Sequence, residues 1–212
     1  MKGLDLFCKA GGCSMGYNLA GFSMLGVDIE PQPNYPFEFV QANALEILKD
    51  HSFLEEFDFI HASPPCQAYS RVSLQHREKG KTYPDLLEPV RKLLIASGKP
   101  YIIENVQNAP LINPVILEGT MFSLKVIRRR LFESNVMIPQ PPRVKATGTV
   151  KNGDYVTCVG NGCDGINRIS VWKEAMGINW MTKKELTQAI PPAYTRYIGK
   201  HLKWNLGFSG YI

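Results

Sequence analysis

The stretch Ser63-Pro64-Pro65-Cys66-Gln67 holds the residue best suited to nucleophilic chemistry. It follows an apolar run, Phe57-Asp58-Phe59-Ile60-His61-Ala62, that reads as a buried strand. Two prolines fix φ and remove two N–H donors, so the chain must leave the sheet in a stiff, extended turn. Such a turn holds one thiol at the carboxyl end of a strand, where open α/β sheets bind ligands. Glu104-Asn105-Val106 closes another strand-like run, Lys99 to Asn105. Strand-end positions on adjacent strands would bring its carboxylate to the same pocket as the thiol. A nucleophilic cysteine needs thiolate character, which nearby cations favour. Arg128-Arg129-Arg130 can supply them. In an extended strand Arg128 and Arg130 share one face and Arg129 takes the other. The competing reading of this run is a solvated basic edge.

A second constellation suits a cofactor. Asp5-Leu6-Phe7-Cys8-Lys9-Ala10-Gly11-Gly12-Cys13-Ser14 reads as strand, glycine turn and helix start, which exposes backbone N–H groups to a ligand carboxylate or phosphate. Val27-Asp28-Ile29-Glu30 places an acid at the end of the next strand, some 20 residues on, where it suits ribose hydroxyls. The pair points to a nucleoside-containing cofactor. It does not by itself separate a nicotinamide cofactor from S-adenosylmethionine, although the G-x-G-x-x-G dinucleotide pattern is not met.

The elements that must position these groups alternate. Strands are expected at Gly3 to Phe7, Phe22 to Val27, Phe37 to Val40, Phe57 to Ala62 and Lys99 to Asn105. Helices are expected from a Ser14 cap to Ala20, at Ala44 to Lys49, and at Tyr83 to Ser97. Met121 to Glu133 reads as a hairpin or strand pair. Later helices cover Ser170 to Met176, a segment capped by Thr182 with Glu185 in a capping box, and Ala193 to Leu202. This pattern predicts a doubly wound α/β sheet with helices on both faces. Residues 139–168 are rich in Pro, Gly and Lys/Arg and read as a small irregular lobe. The expected organisation is a core at 1–138, the lobe at 139–168, and C-terminal helices at 169–212 that complete the core. Loop 67–82 is polar and long for a compact domain, which marks it as functional or mobile.

Composition bounds the class. The 212 residues suffice for one substantial core, with 44% hydrophobic and 20% charged residues. No apolar run reaches the roughly 18 residues of a membrane span, and the first residues do not read as a signal peptide. A net charge of +5 permits a polyanionic partner. Five cysteines, Cys8, Cys13, Cys66, Cys158 and Cys163, fit reduced thiols and a cytoplasmic setting. Cys158-x4-Cys163 has no nearby Cys/His pair to complete a zinc site, so no metal is expected.

Taken in order, these motifs resemble the C5-cytosine DNA methyltransferases. Asp5-Leu6-Phe7 with Gly11-Gly12 is similar to that family's first motif. Ser63-Pro64-Pro65-Cys66-Gln67 is similar to its Pro-Cys-Gln motif, Glu104-Asn105-Val106 to its Glu-Asn-Val motif, and Arg128-x-Arg130 to its Arg-x-Arg motif. Gln188-Ala189-Ile190-Pro191-Pro192-Ala193 resembles the C-terminal motif that packs back on the cofactor. The resemblance implies a Rossmann-like, S-adenosylmethionine-dependent methyltransferase sheet. It implies that Phe7, Asp28, Ile29 and Asn43 surround the adenosine, that Gly11 and Gly12 admit the methionine end, and that Pro65, Gln188 and Ala189 also line the cofactor site. It implies that Cys66 attacks C6 of a flipped-out cytosine, that Glu104 holds N3 and the amino group, and that Arg128 and Arg130 steady the pocket.

The expected partner is double-stranded DNA, read by Gln67, Ser70, Arg71, Arg143, Lys145, Lys151 and Arg168 from the loop and the lobe. So short a lobe predicts a short or degenerate target, and so compact a chain suggests a viral or mobile-element enzyme acting as a monomer in the host cytoplasm. Lys9 stands where the family usually has glycine, Cys8 where it has alanine, and Gln188 where it has asparagine. Competing readings are a tRNA cytosine-5 methyltransferase with the same catalytic motifs, a catalytically silent DNA-binding homologue, and a generic Rossmann oxidoreductase. The last leaves the Pro-Pro-Cys-Gln turn unexplained.

Overall fold

The computed structural model describes residues 1–70, 82–159 and 168–207. Its seven strands form one sheet in the order β3-β2-β1-β4-β5-β7-β6. Strands β1 (Lys2–Leu6), β2 (Ser23–Asp28), β3 (Glu38–Gln41), β4 (Phe59–Ala62) and β5 (Tyr101–Asn105) run parallel. Strand β7 (Arg130–Ser134) pairs antiparallel with β5, and β6 (Val115–Leu117) antiparallel with β7.

The parallel strands are nearly continuous apolar runs because both faces are covered. On one face Leu4, Leu6, Val27, Ile60 and Ile103 pack against α2 (Ala44–Ile47), α3 (His51–Leu54) and α4 (Leu87–Ala96). On the other, Met24, Phe59, Ile102 and Phe132 pack against α1 (Gly12–Leu19) and α7 (Pro192–Asn205). A third cluster, around Trp172, Met176 and Leu186, joins α5 (Ile169–Met176) and α6 (Lys183–Gln188) to Ala10 and Val126. The chain runs from β1 to β2 on one side and later returns to β4 on the other. The switch point of the sheet therefore lies between β1 and β4, and a crevice opens beyond their carboxyl ends.

Three local expectations are corrected. Helix α1 begins at Gly12 behind Gly11, whose φ of 79° glycine adopts without strain. Ser14 does not cap it; its hydroxyl is buried against the Asp5 carboxylate and the Tyr35 hydroxyl. Helix α4 starts at Leu87 rather than Tyr83, because Pro84 biases the preceding residue away from helix and the Asp85 carboxylate accepts from the Leu87 amide at 3.1 Å. Met121 to Glu133 is not a hairpin. A 3-10 turn, Gly119–Phe122, leads to an irregular stretch in which Val126 pairs with Val156, leaving only Arg130–Ser134 for the sheet. The Thr182–Glu185 capping box forms as expected.

Candidate active site

The stiff turn after β4 is anchored on both sides. The Ser63 amide donates to the Leu6 carbonyl of β1 at 3.1 Å, and Asn105 Nδ2 at the end of β5 donates to the Pro64 carbonyl at 3.1 Å. The Cys66 carbonyl accepts from the Tyr69 and Ser70 amides, which closes a turn directly after the thiol. Cys66 is half-buried, whereas Cys8, Cys13 and Cys158 are buried. Burial pushes the Cys66 thiol up; Glu104 adds to this, while Arg130 and, less strongly, Arg128 oppose it. The help expected from the arginines is thus outweighed by desolvation. Burial likewise drives Cys8 and Cys13 upward.

Glu104 is buried at the end of β5, and its Oε1 accepts from Arg130 Nε at 3.2 Å. Burial raises its pKa; the Arg130 and Arg128 charges and a hydrogen bond from Ser63 pull the other way. The two arginines of the Arg-x-Arg pair do different things. Arg130 reaches Glu104. Arg128 is 4% exposed and spends its guanidinium on backbone: Nη1 on the Cys158 carbonyl at 3.0 Å and Nη2 on the Thr187 carbonyl at 2.8 Å, while its own carbonyl accepts from the Tyr194 hydroxyl. Burial lowers its pKa to about 9. Arg129 points away to Glu118. The run is not a solvated edge.

On the other side of the switch point the glycine turn is clamped by the C-terminal elements. Trp180 Nε1 donates to the Ala10 carbonyl at 2.8 Å, and Thr195 Oγ1 to the Cys13 carbonyl at 2.8 Å. A Cβ on Gly12 would lie 2.5 Å from the Ile190 carbonyl oxygen, so only glycine admits this approach. Ile190 therefore lies on the turn; of its neighbours, Ala189 is buried and Gln188 exposed. Phe7 is half-buried at a φ of 60°. Asp28 is buried at the end of β2, with Ile29 exposed beside it. Asp28 accepts from the Lys9 amide at 3.1 Å, the Glu30 amide at 3.1 Å and Lys9 Nζ at 3.4 Å. Asn43 is exposed, and its side chain caps α2.

These residues fit an adenosyl cofactor. The Asp28 carboxylate at the end of β2 can accept from hydroxyl groups of a nucleoside, and the exposed Ile29 stands beside it. Among the described residues Asp5 Oδ1 is a buried acceptor with no partner, close to the glycine turn. Burial raises the Asp5 pKa to about 7, and hydrogen bonds from Ser14 oppose it.

Segment 139–159 carries no helix or strand and is anchored by backbone hydrogen bonds of Val156 to Lys125 and Ile127. Arg143, Lys145 and Lys151 on it are exposed, as is Arg168 before α5. Gln67 is exposed and Ser70 half-buried beside Cys66. Arg71 and Cys163 lie outside the described residues. Sequence reasoning missed Tyr35, whose ring covers Gly26 and Gly11, and His61 and Ser63. The available signal was a histidine inside an apolar strand with a serine two residues on, hence on the same face. Among the described residues no cluster of three or more His, Cys, Asp or Glu is placed to hold a metal ion.

Sheet order, glycine turn and strand-end acid define a Rossmann-like methyltransferase fold. S. pombe Dnmt2 methyltransferase superposes with a TM-score of 0.63 over 98% of this chain and 99% of that one, at 16% identity, a likeness of fold alone. The model of the C-5 cytosine-specific DNA methylase family matches residues 1–112, more than half of the chain, and the chain belongs to that family. Type II methyltransferase M1.HphI of Haemophilus parahaemolyticus is 32% identical over 121 residues, 49% of this chain and 32% of that protein. Type II methyltransferase M.AgeI of Thalassovita gelatinovora is 25% identical over 193 residues, 72% of this chain and 45% of that protein. The chain spans less than half the length of both relatives. Among the described residues no helix is long and apolar enough to cross a membrane.

Proposed function

We propose that the chain transfers a methyl group from S-adenosylmethionine to C5 of cytosine in double-stranded DNA, through a transient bond between Cys66 Sγ and C6. The observation that carries this reading is the meeting of Cys66, Glu104 and Arg130 beyond β4, β5 and β7, next to the glycine turn of β1. The cofactor would be held by Asp28, Ile29, Phe7, Gly11 and Gly12, with Asn43, Pro65, Gln188 and Ala189 at its edges, and would supply an electrophilic methyl group. Cytosine C5 is a weak nucleophile. Addition of the thiolate at C6 makes C5 enamine-like and splits one hard step into easier ones; once C5 has taken the methyl group, loss of its proton to water restores the C5–C6 double bond as the Sγ–C6 bond breaks and the Cys66 thiolate leaves. Glu104 at N3 shares a proton with the ring as electron density moves onto it, and Arg130 holds the carboxylate in place. A thiol that burial pushes up fits a site in which ionisation of Cys66 accompanies arrival of the base. That base must leave the duplex stack to reach so recessed a thiol. Arg128 serves this pocket as a strut, tying segment 158–159, the end of α6 and α7 together.

Arg143, Lys145, Lys151 and Arg168, with Gln67, Ser70 and Arg71, are the groups we assign to DNA. A cytoplasmic monomer acting on a short target fits the small recognition segment. The test is labelled methyl transfer to duplex DNA and to tRNA, followed by trapping on duplex containing 5-fluorocytosine. The expected outcome is 5-methylcytosine in DNA and a covalent adduct on Cys66 alone. Labelling of tRNA with DNA unlabelled, or an adduct on another cysteine, overturns the reading.

A further inference from the structure

The Gly11-Gly12 turn is gripped from two sides, and both grips hang from α6. On one side the Ile190 backbone lies on Gly12. On the other, loop 31–36 lays Tyr35 against Gly11, where a Cβ would come within 2.9 Å of the Tyr35 ring and of Pro36 Cδ. Tyr35 is buried, and its hydroxyl lies 2.7 Å from Ser14 Oγ in the first turn of α1. The Ser14 hydroxyl spends its one hydrogen on the Asp5 carboxylate, so the phenol is the donor to Ser14. A single side chain thus reaches from the glycine turn to the helix that follows it, and through Ser14 ties both to β1. The same ring covers Gly26 of β2, where any Cβ would collide with it.

Loop 31–36 is latched in turn. The Tyr35 amide donates to the Gln32 carbonyl at 3.0 Å. Asn34 Nδ2 donates to both oxygens of the Glu185 carboxylate, at 3.0 and 3.1 Å. Glu185 is the capping-box residue of α6, and its carboxylate also holds the Thr182 amide and hydroxyl. Helix α6 therefore carries the latch in its first turn, and just past its end the chain sets Ile190 on Gly12. The turn inside this frame is where backbone N–H groups can face a ligand carboxylate.

We propose that Asn34 and Tyr35 are positioning residues for the cofactor, which hold the Gly11-Gly12 turn in the shape that receives the amino-acid end of S-adenosylmethionine. Both act through the turn. The inference rests on the reading that this turn binds that cofactor. The nucleoside end has its own support, since Asp28 is fixed by the Lys9 and Glu30 amides. Loosening the latch should therefore weaken the hold on one end of the ligand and spare the other, which a general loss of stability would not do.

Calorimetry on the full chain with two ligands separates the ends. S-adenosylhomocysteine carries both; 5′-methylthioadenosine keeps the nucleoside and the thioether and lacks the amino acid. Asn34→Asp sets a second carboxylate against Glu185. It should raise the Kd for S-adenosylhomocysteine by roughly fivefold or more, the worth of a hydrogen bond, while the Kd for 5′-methylthioadenosine holds. Adding Glu185→Gln reverses donor and acceptor across the latch and keeps the capping box, which glutamine also completes. This double variant should recover the affinity. Tyr35→Phe keeps the ring on Gly11 but loses the hydroxyl, and should show a smaller loss for S-adenosylhomocysteine alone. Equal weakening of both ligands, unchanged binding in Asn34→Asp, or no recovery in the double variant overturns the proposal. If Asn34→Asp does not fold, Asn34→Ala and Tyr35→Phe decide by the same comparison. Wild-type protein that binds neither ligand refutes the cofactor reading and this inference with it. A chain that shows the two-ligand pattern but transfers no methyl group to DNA refutes the proposed function and leaves the positioning role standing.

Discussion

Beyond β4, β5 and β7 the crevice is lined by recessed side chains: Cys66, Glu104 and Arg130, backed by His61 and Ser63. Beyond β1 and β2 it is lined mostly by main chain and by side chains in water, the Gly11-Gly12 turn and the exposed Ile29, Asn43 and Gln188, around a buried Asp28 held by two backbone amides. Electrostatic interactions are strong where water is excluded and weak where it is not. Substitutions on the first side should therefore change proton affinity and turnover, and substitutions on the second should change cofactor affinity modestly. Of the three departures of this chain from the family pattern, Lys9 and Gln188 reach the solvated surface, whereas Cys8 is buried. The recessed side keeps its motif residues.

Glu104→Gln is the sharpest way to break this contrast. The amide still makes hydrogen bonds but cannot deliver a proton. Turnover should fall by roughly 10²-fold or more, the scale of lost general acid catalysis. Affinity for S-adenosylmethionine, followed by calorimetry on the same protein, should hold. Undiminished turnover would remove Glu104 from the chemistry, and a parallel loss of cofactor affinity would mean that the two sides are not separate.

The pair Arg128 and Arg130 divides the recessed side itself. Arg130→Gln frees Glu104 from its ion pair and should cost roughly 10²-fold in turnover, as loss of one aimed donor does, with a small change in melting temperature. Arg128→Gln leaves the Cys158 and Thr187 carbonyls without their guanidinium. Hydrogen bonds from a charged group contribute about 1.5–3 kcal/mol, and about 1 kcal/mol shifts the melting temperature by roughly 2–4 °C in a domain of this size. Thermal melts should therefore fall by several degrees for Arg128→Gln. Equal melts for the two variants would refute the strut.

Much of this arrangement was legible in the sequence for a physical reason. Glycine turns, prolines and strand-end acids announce themselves through backbone needs, so Gly11-Gly12, Pro64-Pro65-Cys66, Asp28 and Glu104 could be placed before any coordinates. The division of labour between Arg128 and Arg130 could not be read. It depends on Val126 pairing with Val156, a contact between segments 30 residues apart in sequence that leaves Arg128 outside the strand. Ser14 was misread as a cap because its partners, Asp5 and Tyr35, come together only when β1 and the proline loop fold onto α1. His61 passed as a core residue because Tyr17, whose hydroxyl meets its Nδ1, is 44 positions away.

The smallest effect is expected at Lys9, and it sharpens the comparison from the solvated side. Lys9 has a φ of 44°, a left-handed conformation that glycine adopts more readily. Its ammonium lies 3.4 Å from Asp28 and 3.1 Å from Glu30. The Lys9 side chain is 41% exposed and that of Glu30 70%, so this pair is screened by water; Asp28 is 3% exposed, and its longer contact to the ammonium is screened from the lysine side alone. An exposed pair such as Lys9–Glu30 contributes about 0–1 kcal/mol, roughly fivefold in affinity, and Asp28 keeps both amide donors when the ammonium is removed. In Lys9→Gly the two backbone amides still hold Asp28, although the freer glycine chain offsets part of the relief at φ. Calorimetry with S-adenosylmethionine should thus give a Kd within about fivefold of wild type at low salt, closer still at high salt, with turnover at saturating cofactor unaltered. A loss well beyond tenfold, together with a fall in turnover, would mean that the ammonium touches the cofactor itself. In that case the solvated side would carry part of the chemistry.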